Sequence, residues 1–300
     1  MIISRHRKNF TSLLFFLTFS IFVASLFCSV LKIYFLDVGQ SDSVFIITPN
    51  GKTMLYDAGD KDEFFDYGEK ICKFLWQINI RKIDIVVISH PHKDHIGGLN
   101  TVLANFTVGK FYDPGFPYPS SIYMELLQNI YNNGIKYILA REGTKIELDP
   151  RIEILILYPP KNLVFEDPNN NSVVIRIKYN KIAVMLTGDI EKDAEYEILN
   201  IYKRRKELLE ANILKVAHHG SATSTTEIFL DTVMPEVAVI SCGLNNRFGH
   251  PHPSVIKRLK NYGVEIYRTD RDGTIEVIID GEDYKIRKFL PKDKDVIFSR

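Results

Sequence analysis

The sequence predicts a layered α/β domain over residues 31–288, with two sheets facing each other and helices on the outside. Strand-forming runs occur in both halves of the chain with helical patterns between them. Neighbouring short strands, such as 172–179 and 181–187 joined at Asn180, have the spacing of antiparallel hairpins, which a simple doubly wound parallel sheet would not show. The histidines form groups just beyond predicted strands, where a rigid sheet can present side chains to one cleft.

The elements follow in order. Strands are expected over 32–38, 43–47 and 53–57, with a turn at Pro49-Asn50-Gly51. Residues 63–80 place Phe64, Tyr67, Ile71, Phe74, Leu75 and Ile78 at helical spacing, giving one apolar face. Ile83 to Ile88 is a β-branched run that ends at His90 and reads as a buried strand. Helices are then expected over 120–132, 191–210, 224–232 and 253–262. Strands are expected over 108–112, 136–140, 151–157, 172–179, 181–187, 213–217, 236–241, 264–268 and 274–280, before a short charged tail over 289–300.

Residues 1–30 differ in kind. Arg5, Arg7 and Lys8 form a basic start, and no charged residue follows from Asn9 through Leu31. This pattern predicts an export segment, either a cleaved signal peptide or an anchor with its basic end inside. At about 1.5 Å per residue it is just long enough for a hydrocarbon core of roughly 30 Å. Removing Arg5, Arg7 and Lys8 takes 38 basic groups to 35 against 37 acidic ones, a net of −2. A nucleic-acid substrate would therefore need a local basic patch, because the overall field does not attract a polyanion. Cys28, Cys72 and Cys242 form no CxxC pair, so neither a disulfide framework nor a thiolate zinc site is supported.

Of eight histidines, His6 lies in the export segment. The others form three clusters: His90, His92 and His95; His218 and His219; His250 and His252. In His90-Pro91-His92-Lys93-Asp94-His95, two imidazoles at i and i+2 can meet one ion. Asp94 and His95 can then reach a second ion from the other side of the turn. Imidazole and carboxylate suit Zn²⁺ and accept Mn²⁺ or Fe²⁺. Gly97 and Gly98 follow, allowing close backbone approach.

His90-x-His92-x-Asp94-His95 followed by two glycines resembles the signature loop of metallo-β-lactamase-fold hydrolases, and the resemblance spans nearly all of the chain after residue 30. Leu55-Tyr56-Asp57-Ala58-Gly59 is similar to the family's first motif, whose aspartate supports the metal loop. Leu186-Thr187-Gly188-Asp189 is similar to the motif whose aspartate bridges both metals. The resemblance implies an αββα four-layer sandwich preceded by the hydrophobic export segment, with two divalent ions, Zn²⁺ or alternatively Mn²⁺. Asp37 to Ser43, Asn169-Asn170-Asn171-Ser172, His218-His219-Gly220-Ser221 and Gly249 to Pro253 narrow it to the extracytoplasmic hydrolase domain of ComEC-type competence (DNA-uptake) proteins. No channel helices follow here, so a free-standing exported or anchored relative is expected.

The expected metal ligands are His90, His92, Asp94, His95, Asp189 and His218, with His219 as the alternative to His218. Asp57 supports the loop, and Asn171, Ser172, His219 and His252 are expected to meet substrate. The chain departs from the family pattern in one respect: no histidine lies between His95 and His218, and Asn169 to Ser172 stand where a third ligand to the first metal is usual. Two ions about 3.5–4 Å apart would bring a bridging water toward ionisation at neutral pH. Asp94 and Asp189 would orient that water, and His250 or His219 would protonate the leaving oxygen. The function expected from this resemblance is an exported phosphodiesterase or nuclease acting on DNA, with single-stranded DNA as a candidate partner and Lys203 to Lys206, Lys257, Arg258, Lys260, Arg268 and Arg271 available to the backbone. No protein partner is expected, and the membrane is a partner only if the segment stays uncleaved. The alternatives are a cell-envelope phosphodiesterase, such as one releasing phosphorylcholine from teichoic acid, and a metal-retaining binding module without turnover.

Overall fold

The computed structural model describes residues 30–289. The export segment expected before residue 31 and the tail expected after residue 288 lie outside the described residues, save for Val30 and Phe289. Among the described residues, no helix is long and apolar enough to cross a membrane.

The strands in chain order are β1 Leu31–Phe35, β2 Val44–Ile47, β3 Thr53–Tyr56, β4 Lys82–Val87, β5 Thr107–Asp113 and β6 Lys136–Leu139. They continue with β7 Glu153–Tyr158, β8 Val174–Tyr179, β9 Ile182–Leu186, β10 Ile213–Lys215, β11 Val237–Ile240, β12 Glu265–Arg268, β13 Thr274–Ile279 and β14 Tyr284–Phe289. One sheet has the order β14-β13-β1-β2-β3-β4-β5-β6 and the other β12-β11-β10-β9-β8-β7. Each is antiparallel in one part and parallel in the other. The parallel parts are β3 through β6 in the first sheet and β9 through β12 in the second. The expected hairpin is present: β8 and β9 pair antiparallel across Asn180, which takes a left-handed φ of 51°.

Side-chain alternation along the strands builds the layers. Ile33, Phe35, Val44 and Ile46 meet Ile154, Ile156, Ile175, Ile177 and Val184 between the sheets. The alternate residues Tyr34, Phe45, Leu55 and Val86 face outward onto Ile71, Leu75, Val102 and Leu126 of the covering helices. Leu155, Leu157, Val174 and Met185 do the same on the second sheet, against Ala194, Ile198, Phe229 and Leu259. The expected two-sheet α/β architecture with outer helices is the one observed.

Several elements differ from expectation, among them the helix Leu99–Asn105, which was not expected. The helix expected over 63–80 spans Tyr67–Gln77, because the Asp62 carboxylate accepts the Phe64 and Phe65 amides and holds residues 62–65 in a turn. The helix expected over 191–210 is Lys192–Ile201, and it stops before Lys203-Arg204-Arg205-Lys206, where like charges crowd successive positions. The strand β14 was not expected; Lys285, Arg287 and Lys288 give it the charged character that protects a sheet edge.

At the end of β5, Asp113 accepts hydrogen bonds from the Gly115 amide (2.5 Å) and the Tyr123 hydroxyl (2.9 Å), fixing the start of the 114–120 loop. Burial pushes its carboxyl up to about 6. The fold therefore binds this proton more tightly than the unfolded chain does, and that share of stability is lost as pH rises through the window from about 4 to about 6. Urea unfolding of wild type and Asp113→Asn across this window should show the difference moving in the variant's favour by about 3 kcal/mol, then staying level at higher pH. A difference independent of pH would show that Asp113 ionises as freely in the fold as in the unfolded chain.

Candidate metal centre

Five loops converge at the C-terminal ends of parallel strands. Asp57 follows β3, His90 to His95 follow β4, Asp189 follows β9, His218 and His219 follow β10, and His250 lies beyond β11. Ligand sites of α/β sheets favour such strand ends. The loops pack tightly. At Gly188, with φ of 53°, a Cβ would lie 2.7 Å from that of Ser89 and 2.9 Å from that of Ser172. At Gly98 it would lie 2.3 Å from the Ala58 carbonyl oxygen. Side chains at either position would push the loops apart.

The imidazoles are held from behind. His95 Nδ1 lies 2.9 Å from Asp57 Oδ2 and 3.1 Å from Ser89 Oγ. Asp57 is itself fixed by the Ser89 amide and hydroxyl, each at 2.7 Å, despite a left-handed φ of 58°. His90 Nδ1 lies 3.0 Å from Ser89 Oγ and 3.3 Å from Ser172 Oγ. His219 Nδ1 donates to the Ser241 carbonyl at 3.0 Å. In all three rings Nδ1 is engaged, so Nε2 is the atom turned to the centre, as in histidines that hold a metal.

The centre has two sides. On one, His95 Nε2 lies 3.2 Å from Asp189 Oδ2, and His219 Nε2 lies 3.2 Å from Asp94 Oδ2 and 3.5 Å from Asp189 Oδ2. Asp42, His95, Asp189 and His219 are all buried and offer donor atoms within 4.8 Å of one another. On the other side, His90 Nε2 and His92 Nδ1 are 3.0 Å apart. Two ligands of a tetrahedral Zn²⁺ with bonds of about 2.0–2.1 Å would stand roughly 3.3 Å apart. The amide of Asn169 faces His92, and its Oδ1 has no hydrogen-bond partner. Asp189 Oδ1 and His95 Nε2 are likewise buried without a hydrogen bond. Such orphaned donors, paired across short gaps, fit bound cations.

Charge supports the same fit. Asp42, Asp57, Asp94 and Asp189 crowd a region whose permanent cation is Lys215, fully buried and paired with Asp42. Burial opposes charge on His95 and His219, yet the carboxylates outweigh it. Asp189, Asp94 and Asp57 raise His95 well above its usual range, and Asp189 and Asp42 raise His219 to about 9. His90, buried beside His95, is driven well below the usual range. Divalent cations would replace protons in this balance.

Several sequence expectations change place. His219, rather than His218, enters the buried cluster. His218 is partly exposed, with Nδ1 at 3.1 Å from Glu191 and Nε2 at 3.9 Å from Asp189. Both take left-handed φ, so the turn swings the second ring inward. Ser172 and Asn171 are fully buried and have no surface for substrate. Ser172 backs His90 and accepts the Asp189 amide, while Asn171 donates to the Phe165 and Asp167 carbonyls. His252 is exposed and caps the helix Pro253–Asn261 by accepting from the Ser254 amide. His250 stands beside the cluster, its ring centroid 5.7 Å from that of His218 and 6.4 Å from that of His219. Arg258 and Arg268 are engaged internally, by the Ser224 and Thr225 carbonyls and by Asp270.

Sequence reasoning gave no role to Asp42 or Lys215, and it placed Asn169 only within the run that stands where the third ligand is usual. Asp42 lies in a motif noted only for its likeness. Lys215 had a usable signal, a lone cation inside the apolar run Ile213 to Ala217. Beyond the cluster, Glu195 accepts the Thr226 amide (2.8 Å) and hydroxyl (2.6 Å) and the Thr225 amide, anchoring the chain that leaves His219.

Residues 36–244 match the model of the metallo-beta-lactamase superfamily. The chain is 30% identical over 275 residues to ComE operon protein 3 of Bacillus subtilis, covering 86% of this chain and 34% of that protein. It is 32% identical over 243 residues to Recombination protein 2 of Haemophilus influenzae, covering 81% and 28%. It thus spans about a third of the length of these relatives. Among solved structures, Igni18, a metallo hydrolase from Ignicoccus hospitalis, shares the fold with a TM-score of 0.53 and 19% identity, covering 82% of this chain and 98% of that one.

The Asp42–Lys215 pair offers a direct test of charge balance. Lys215→Met should cost about 3–5 kcal/mol in urea unfolding, because Asp42 is left buried without its partner. Asp42→Asn combined with Lys215→Met should recover most of that loss. Equal destabilisation by the single and double variants would show that Lys215 does not serve to balance Asp42.

Proposed function

From the premise that this chain belongs to the metallo-β-lactamase superfamily, we propose that it is an extracytoplasmic phosphodiesterase that hydrolyses nucleic acid at a two-metal centre. The observation that carries the reading is a basic groove whose lining begins at Pro251, the chain neighbour of His250. The groove has a volume of about 490 Å³ and is lined also by Ile256, Lys257, Lys260 and Arg268. Lys257 and Lys260 are exposed, so they can meet phosphates without breaking internal bonds. This supplies the local patch that a chain of nearly neutral net charge requires. The likeness to Competence protein ComA of Neisseria gonorrhoeae, 30% identical over 240 residues, agrees with a role close to DNA. An envelope location follows from the same kinship and from the hydrophobic start of the sequence.

In this reading Asp94, His95, Asp189 and His219 would hold one ion, and His90, His92 and Asp189, beside Asn169, would hold the other. Bound there, divalent ions supply Lewis acidity toward the phosphoryl oxygen and activate a water at neutral pH. Asp189 lies between the two sides, where its carboxylate can fix the direction from which that water approaches. Asp94, held by His219, is the second carboxylate able to accept a proton from it. His250 stands beside the cluster with Gln40 Nε2 at 3.5 Å from its Nδ1, a contact that helps hold the ring in place. Burial, with His219 and His218 nearby, pushes this imidazole down to about 4. It thus enters the reaction neutral and serves as a hydrogen-bonding group for the phosphodiester, rather than as the resting proton donor first expected of it.

The test is to purify the protein, count bound Zn and Mn, and assay bis-(p-nitrophenyl) phosphate and single-stranded DNA beside Asp189→Ala. About two metals per chain are expected, with cleavage reduced at least about a hundredfold in the variant. Two bound metals with no cleavage of either phosphodiester under Zn²⁺ or Mn²⁺ would overturn the proposal. Asn169→His should strengthen Zn²⁺ retention against a chelator, since imidazole replaces a weaker amide ligand. Unchanged retention would place Asn169 outside the metal's reach.

A further inference from the structure

The loop between β11 and the helix Pro253–Asn261 carries a row of planar groups that leads from solvent to the metal centre. The Arg247 guanidinium lies over the Phe248 ring, 4.9 Å from its centroid. Phe248 and His250 are stacked at 5.8 Å with an interplanar angle of 24°. His250 and His219 continue the row at 6.4 Å, again at 24°. Nothing in the core requires this arrangement, because Phe248 is 57% exposed and Arg247 is exposed as well. Other large apolar side chains of this chain are exposed too, and what sets Phe248 apart is the row of rings that joins it to His250 and His219.

The loop is also held in shape. Asn246 Oδ1 accepts the Phe248 amide at 3.2 Å and the His250 amide at 3.0 Å. Asn246 Nδ2 donates to the Gly243 carbonyl at 2.9 Å and to the His250 carbonyl at 2.6 Å. One side chain therefore ties the base of the loop to the residue that faces the metals. Phe248 is presented on a preorganised turn, which reduces the ordering cost of binding.

We propose that Phe248 is a stacking platform for a nucleobase next to the scissile phosphodiester, and that Arg247 yields its place on the ring to pair with a flanking phosphate. The inference rests on the nucleic-acid reading given above and adds the residues that select the substrate. The charge on the loop decides between ligands. A quaternary ammonium such as choline would need an aromatic face free of cations, whereas this face has a guanidinium over it. A neutral planar base with an anionic backbone matches both parts. It stacks where the guanidinium lay, and the freed donors of Arg247 find a phosphate. Stacking of this kind tolerates any base, so the platform favours single strands, whose bases are unpaired and can leave their own stack.

The experiment compares a labelled ten-nucleotide single strand with the same strand carrying one abasic site, placed by cleavage mapping next to the cut position. Cleavage is measured on the metal-loaded protein, and binding is measured by fluorescence anisotropy on Asp189→Ala. Wild type should prefer the intact strand roughly tenfold. Phe248→Ala should remove that preference, and Phe248→Trp should keep it. Arg247→Ala should retain the preference but lower the slope of log K against log salt by about 0.7. Equal handling of both strands by wild type, or a preference that survives Phe248→Ala, would overturn the platform while leaving the nuclease reading in place. Failure to bind or cut either strand, with turnover of a phosphorylcholine ester, would overturn the nucleic-acid reading and the platform with it.

Discussion

The crowding of carboxylates at the junction of the two sheets is the constraint to which the rest of the centre responds. Asp42, Asp57 and Asp189 are buried and Asp94 joins them part-exposed, with Lys215 as a buried permanent cation paired with Asp42. Uncompensated buried charge costs several kcal/mol per ion, so such a group persists only where positive charge is supplied. The histidines answer this demand in two ways, as protonated partners or as neutral ligands to cations. The strong upward shift of His95 expresses the same demand in proton form. Asp57 serves a different purpose: it is bound by Ser89 and His95 and does not face the centre directly.

The fold provides a stiff frame for that charge. In both sheets the strands leading into the centre are parallel, so their C-terminal ends arrive together. Their loops then turn sharply, and the left-handed backbone at Asp57, Gly188, His218 and His219 marks where the chain reverses over a very short distance. Non-glycine residues in this region carry strain, and strain of this kind persists where surrounding bonds over-determine it. The Ser89 bonds to Asp57 and the Ser241 bond to His219 are such restraints. Loop geometry and charge geometry therefore depend on each other.

Much of this was legible in the sequence. Strand-forming runs in both halves with helical patterns between them, and the hairpin spacing at Asn180, are local properties, and they reported the two sheets. The His90 to His95 loop is legible because its ligands lie on one turn. What stayed hidden arises from contacts between distant segments. The choice between His218 and His219 depends on two left-handed residues, which neighbouring identical histidines cannot signal. Ser172 and Asn171 looked available to substrate because a polar loop resembles a surface. In the fold that loop is wedged behind His90, and its hydroxyl and amide groups are used internally. The Asp42–Lys215 pair joins residues far apart in the chain, although a lysine inside an apolar strand was a visible anomaly.

The two sides of the centre are chemically unequal, and this links the missing histidine to the open face of the molecule. On the His95 side, carboxylates and imidazoles surround the donor cluster, and it is buried. On the His90 side, two imidazoles are joined by an amide, and His92 lies against Tyr118 at the rim, ring edge to ring face at 5.3 Å. An amide oxygen carries no charge, so it offsets less of a cation's charge than a carboxylate and binds Zn²⁺ less firmly than imidazole. An ion held there would keep more unneutralised charge than one held on the His95 side. The weaker ligand thus lies on the side where His92 and Asn169 are partly exposed. The departure from the family's usual ligand pattern therefore falls on the side whose donors carry the least charge.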